Sequence, residues 1–136
     1  MQQLFGELKG THCVINQVLY HLGSRGIEYD LLPWHREHRM PIMAYCPLAQ
    51  AGSLRRGLVD HIVVKDIAEQ HQIKPLQLLL AWTIREDNVI AIPKASTTAH
   101  VIENAASAAI RLSEEDLGRL DAVLPMPSKK EYLDMV

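Results

Sequence analysis

VIAIPKASTTAHVIENAA, residues 89–106, starts as a run of apolar residues and ends in a helical pattern. A short continuous apolar run bounded by a turn reads as a strand buried on both faces, as in a parallel sheet. From Thr98 to about Ala109, Val101, Ile102, Ala105 and Ala109 recur at helical spacing. Between the two elements stand Lys94, Ser96 and Thr97, with Thr98 opening the helix and His100 two residues into it. In parallel α/β architectures, a strand's carboxyl end and the next helix's start share the ligand side. A helix start offers unpaired N–H groups and partial positive charge, which suit a phosphate. Two readings of the junction stand. One is a phosphate site built from a lysine, hydroxyls and a helix start. The other is an ordinary N-cap at Ser96 or Thr97 beside a solvated lysine.

Working outward, CVINQVLY at 13–20 and PIMAY at 41–45 give two more short apolar runs, again read as strands buried on both faces. Asp30 is placed to cap a helix beginning LLPWHREH, with Pro33 in its first turn. PLAQAGSLRRG at 47–57 reads as turn-rich, with Gly52 and Gly57 as breakers. Asp60 is placed to cap a helix whose Val63, Val64, Ile67, Ala68 and His71 share one face. Pro75 opens another, with Leu79, Leu80, Thr83 and Ile84 inward. Ser113-Glu-Glu-Asp116 resembles a capping box and starts a last helix that Pro125 ends. Residues 125–136 read as a coil tail. The order is strand, helix, strand, two helices, strand, two helices, which predicts parallel strands joined by right-handed crossovers. Three strands alone would leave both sheet edges unpaired. The sequence therefore reads as part of a larger sheet or barrel.

The 136 residues are 48% apolar and 22% charged, with a net charge of −2, the composition of one soluble domain or part of one. The longest basic runs are the pairs Arg55–Arg56 and Lys129–Lys130, so neither nucleic acid nor an anionic membrane is expected as a partner. Cys13 and Cys46 lack a CxxC spacing and read as reduced thiols, and the expected setting is cytoplasmic. His35 and His38 stand three apart with no second ligand pair, which reads as a solvated helix face; no metal site is expected.

Five segments in order resemble the aldo-keto reductases. NQVLYH at 16–21 is similar to the sixth barrel strand of that family, and PIMAYCPLAQAG at 41–52 to the seventh strand and its cofactor loop. KPLQLLLAW at 74–82 resembles the helix before the eighth strand, VIAIPKAS with Glu103-Asn104 the last strand and helix, and LSEEDLGRLDAV at 112–123 the helix after the barrel. The resemblance implies an α/β fold: the C-terminal part, about three strands, of a TIM-type (β/α)8 barrel, as a single partial domain over 1–136. Gln2–Lys9 would be the end of the fifth barrel helix.

The resemblance also implies a cofactor, NADPH, lying across the carboxyl ends of the strands. Gln17 would hold the nicotinamide carboxamide, which needs a paired donor and acceptor; from the residue alone it is equally a strand polar group satisfied by backbone. Tyr45 would stack on the nicotinamide, or be a core aromatic at a strand end. Cys46, Pro47 and Leu48 would line the pyrophosphate, chiefly through backbone. Lys94 would bind phosphate. Ser96, Thr97 and His100 would surround the adenosine 2′-phosphate, and Glu103 and Asn104 the adenosine end. Many members place arginine where His100 stands. Histidine is mostly neutral at pH 7 and arginine always charged, so NADH is admitted beside NADPH.

The family's catalytic aspartate, tyrosine, lysine and histidine belong to the half of the barrel that this sequence does not match, as does the Ser-Asn pair ending the fifth strand. Tyr20, Tyr29 and Tyr132 match no catalytic motif, so no catalytic residue is assigned. The expectation is the C-terminal part of an NAD(P)H-dependent carbonyl reductase, inactive alone, whose small carbonyl substrate requires the missing half. The alternatives are a dinucleotide-binding or self-associating half-barrel, pairing open sheet edges, and a poorly folded remnant.

Overall fold

A computed structural model describes residues 12–135, so the reading of Gln2–Lys9 lies outside the described residues. Strands β1 (Asn16–Leu19), β2 (Ile42–Tyr45) and β3 (Val89–Ala91) form one parallel sheet in chain order. Helix α1 (Leu31–Glu37) joins β1 to β2. Helices α2 (Ser53–Asp60), α3 (Ile62–Gln70) and α4 (Pro75–Thr83) join β2 to β3. Helix α5 (Thr98–Ala106), a 3₁₀ turn at Ser107–Ala109 and α6 (Glu114–Val123) follow. The described chain then runs without helix or strand to residue 135.

The expected strand–helix alternation is present, with one helix more than expected between β2 and β3. PLAQAGSLRRG is a turn only as far as Gly52, whose φ of +125° favours glycine. Gly57 lies inside α2 rather than breaking it. Because Asp60 is the last residue of α2, it does not cap α3; its carboxylate meets Lys65 Nζ at 2.7 Å. His61 caps instead, its Nδ1 accepting from the Val63 N–H at 3.3 Å. Asp30 stands at the cap position of α1, but its carboxylate is turned to Lys130 Nζ at 2.8 Å and makes no capping bond. The Ser113–Asp116 box forms in both directions, at 3.1 and 2.9 Å.

The strands are not buried on both faces. The register sets Asn16, Ile42 and Val89 in one row and Val18, Ala44 and Ala91 in another on the same side. From this side Val18, Ile42, Ala44 and Val89 enter the core with Leu32, Val64, Ile67, Leu78, Leu79 and Leu120. The intervening row, Gln17, Met43 and Ile90, faces the other way: Gln17 and Ile90 are exposed and Met43 is half-buried. A two-residue period and helices packed against one side account for the difference.

One polar cluster lies inside this core. Trp82 is fully buried, with the Arg85 guanidinium 3.9 Å and that of Arg25 5.0 Å from its ring centre. Both arginines pair with Glu28, at 3.1 and 2.8 Å, and the buried Tyr20 hydroxyl donates to Glu28 at 2.6 Å. Burial would raise the Glu28 carboxyl, but its bonds from Arg25 and Tyr20 outweigh that and hold it below its ordinary range.

Candidate functional site

The candidate residues run from within β1, through the carboxyl end of β2, to the junction after β3 and the helix that follows. Gln17 and Tyr45 stand on the same sheet face, since Leu19 pairs with Tyr45 and Gln17 lies two residues before Leu19. β3 pairs with β2, and Ile92 N–H donates to Ala44 at 3.1 Å, so the chain leaving β3 towards Lys94 starts beside Tyr45. Tyr45 and Cys46 are half-buried, whereas Lys94, Ser96, Thr97 and His100 are exposed.

The loop after β2 is built from backbone. Pro47, Leu48 and Ala49 are buried, so the loop packs against the protein. Cys46 (φ +48°) and Ala49 (φ +59°) both take left-handed conformations that non-glycine residues seldom adopt. The Ala49 N–H donates to the Cys46 carbonyl at 2.9 Å, closing a tight turn.

At the junction after β3, Thr97 is the N-cap of α5, its hydroxyl oxygen accepting from the His100 N–H at 3.2 Å. The hydroxyl hydrogen remains a donor, so capping and phosphate binding are compatible chemistries at this residue. The apolar face expected of α5 is not a buried one: Val101 and Ile102 are 54% and 64% exposed. The helix is held at its edge instead. Glu103 pairs through its carboxylate with Lys74 Nζ and accepts at its carbonyl from Gln77 Nε2 at 3.3 Å. The Lys74 bond also draws the Glu103 carboxyl below its ordinary range. Asn104, one residue on, is half-buried.

Lys74, Thr83 and Arg55 contribute to this region and were not singled out as site residues by sequence. Arg55 Nε donates to the Leu48 carbonyl at 3.0 Å and Nη2 to the Ala49 carbonyl at 2.7 Å; Thr83 Oγ1 donates to the Pro47 carbonyl at 3.3 Å. Their partners lie 6 to 36 positions away in the chain, and no local pattern signals such pairings.

His35 and His38 differ from the expected solvated pair. His35 is fully buried and shares a 3.1 Å hydrogen bond with Asn16 Nδ2, while His38 stacks on Trp34. Among the described residues no group of three or more His, Cys, Asp or Glu side chains could hold a metal ion. No helix among them is long and apolar enough to cross a membrane.

A family model described as "Aldo/keto reductase family" matches residues 1–125. The methylglyoxal reductase YeaE of Escherichia coli is 56% identical over 136 residues, covering all of this chain and 48% of its own length. Methylglyoxal reductase DkgA of E. coli is 29% identical, covering 88% of this chain and 41% of its own. Among solved structures, an aldo-keto reductase from Klebsiella pneumoniae in complex with NADPH superposes with a TM-score of 0.95 at 56% identity, over 99% of this chain and 48% of that one. A second structure from that organism, with NADP and acetate, gives the same values. The chain thus spans about half the length of the curated relatives it matches.

Proposed function

The chain belongs to the aldo/keto reductase family, and from that premise we propose that it carries the cofactor-binding part of an NADPH-dependent carbonyl reductase. The reading rests on one observation above others. The entire face that would meet a dinucleotide, from Gln17 through Tyr45 to the Lys94–Asn104 strip, lies within a superposition at TM-score 0.95 on a reductase solved with NADPH. Gln17 would bind the carboxamide and Tyr45 would stack on the nicotinamide ring. The Cys46–Leu48 backbone would meet the pyrophosphate. Lys94, Ser96, Thr97 and His100 would take the 2′-phosphate, with Glu103 and Asn104 at the adenosine. Once bound, the nicotinamide would supply hydride to a carbonyl.

The proton that must accompany that hydride has no identified donor. General acid catalysis needs a positioned donor within hydrogen-bond reach of the carbonyl. The Tyr20 hydroxyl is fully buried, donates to Glu28 and accepts from Arg85 at 2.9 Å. Burial raises its pKa far above the ordinary tyrosine value, which unsuits it as an acid. Tyr132 is 99% exposed. The proposal is therefore a grip without chemistry, completed by the half of the barrel that the relatives possess and this sequence does not match. Cys13 and Cys46 are free thiols, in keeping with the cytoplasmic setting proposed here.

Calorimetric titration of the 136-residue chain with NADPH and NADH tests the cofactor reading. Binding of both with NADPH tighter is expected; a folded sample that binds neither refutes it. Oxidation of NADPH by the pure chain with an aldehyde would overturn the proposed catalytic incompleteness. A second reading, self-association of half-barrels, is favoured by Ile90 and Ile92, 48% and 40% exposed, in and beside edge strand β3. A monomer in sedimentation at millimolar concentration would sink it.

A further inference from the structure

We propose that Arg55 is a positioning residue of the dinucleotide site. Its guanidinium fixes the Cys46–Ala49 loop with the carbonyls turned into the protein and two amides turned out. The role rests on the cofactor reading above, but the clamp itself rests on geometry alone.

A pyrophosphate is an acceptor throughout, so a loop that binds it must offer N–H groups and withdraw its carbonyls. Each of the four carbonyls from Cys46 to Ala49 has an internal donor. Cys46 takes the Ala49 N–H at 2.9 Å, and Pro47 lies 3.3 Å from Thr83 Oγ1, whose single hydrogen it shares with the Leu79 carbonyl at 3.0 Å. Leu48 takes Arg55 Nε at 3.0 Å, and Ala49 takes Arg55 Nη2 at 2.7 Å. In a planar trans peptide the N–H lies opposite its own carbonyl. The Leu48 N–H therefore points away from Thr83, and the Gln50 N–H away from Arg55. Thr83 and Arg55 thus direct two amides outward, on the loop that follows Tyr45.

The loop needs such a clamp. Two non-glycine residues within four positions hold left-handed conformations that L side chains rarely adopt. Arg55 is suited to hold the loop because its rigid planar fork serves two successive carbonyls in a fixed geometry that a rotating lysine ammonium lacks. It stands in the first turn of α2, six and seven positions after the carbonyls it holds. The guanidinium also brings positive charge to the loop that would face the phosphates.

The test compares the full 136-residue chain with Arg55→Met, which keeps the apolar stem, and Arg55→Lys, which keeps the charge. Hydrogen exchange reads the loop without any ligand. In Arg55→Met the Ala49 amide, bonded to the Cys46 carbonyl, should exchange about tenfold faster, while those of Val18 and Ala44 stay unchanged. Titration reads the site. NADPH affinity should fall about tenfold in Arg55→Met and recover only partly in Arg55→Lys, while adenosine 2′-monophosphate, which lacks the pyrophosphate, binds within about twofold of wild type. Unchanged loop exchange, unchanged NADPH affinity, or an equal loss for both ligands with faster exchange throughout the sheet would overturn the proposal. Wild-type protein that binds neither ligand would overturn the dinucleotide reading and the positioning role with it; loop exchange would still decide whether the clamp exists.

Discussion

Helices α4 and α5 are each nine residues long and joined at Glu103, yet they meet solvent in opposite ways. In α4 every residue from Leu78 to Thr83 is buried; in α5 none is. Packing holds α4 in place: its Trp82 fills the centre of the fold between two arginines. Edge contacts hold α5: the Thr97 cap, the Lys74–Glu103 pair and the Gln77 bond. A helix held by its edges leaves its surface available, and α5, with its Thr97 cap, carries four of the residues proposed to meet the adenosine. The difference separates residues that make the fold from residues that the fold presents.

The sharpest way to break this comparison is Trp82→Ala. Removing a fully buried indole should cost about 3–5 kcal/mol in denaturant unfolding, and would leave Arg25 and Arg85 without their shared ring. A cost below about 1 kcal/mol would show that α4 is not the anchor described.

The next effect is one of pH. His21, 2% exposed, is pushed by burial down to about 4, against an ordinary value of 6.5, with the nearby Asp134 charge opposing the shift. Between those values the unfolded chain binds a proton that the folded chain refuses. Stability is therefore full above pH 6.5 and falls as the pH drops towards 4, by roughly 3 kcal/mol. Glu28, also held low, adds its own loss at more acid pH. Unfolding midpoints measured from pH 7.5 to 4 should show the descent, and His21→Gln should flatten its upper part. A flat profile in the native protein would contradict the burial of a neutral His21.

Thr97→Ala removes the cap of α5 and should cost about 1 kcal/mol. The loss should appear first as faster amide exchange in α5 alone, with α4 unaffected. Exchange that rises equally in both helices would mean that they form one unit rather than two. The smallest effects belong to the exposed surface. Ile102→Ala and Lys74→Ala should each change stability by less than about 1 kcal/mol. A cost for Ile102→Ala approaching that of Trp82→Ala would mean that the α5 face is covered in solution, which sedimentation of the same sample would reveal as self-association.

The candidate site was read from short segments whose order and spacing resemble a known family: Gln17 within a strand, Tyr45 at a strand end, Cys46–Leu48 in the following loop, and Lys94 to Asn104 at the last junction. The Thr97 cap followed from local chemistry, though the same chemistry offered Ser96 equally. The clamp on the loop was hidden, since Arg55 reads in sequence as half of a basic pair in a turn-rich stretch. Lys74 likewise reads as an ordinary residue before Pro75, and nothing local ties it to Glu103, 29 positions away.

Local sequence carried the periodicities: three short apolar runs, the helices between them except α2, the Ser113–Asp116 box and the parallel order. These depend on neighbours within a few residues, where steric and hydrogen-bonding rules operate without knowledge of the rest. Only the tertiary structure decided which face of each element is covered. The sheet keeps the Val18, Ile42 and Ala44 side and leaves Gln17 and Ile90 open, and α5 leaves Val101 and Ile102 open, although all of them read as equally apolar or equally strand-like in the chain. Burial depends on what packs against a surface, and that is set by distant segments. The same holds for caps: Asp30 stands at a cap position but its carboxylate goes to Lys130, and Asp60 closes one helix while His61 caps the next. A side chain's role follows its nearest partner in space, and the chain fixes that partner only once it has folded.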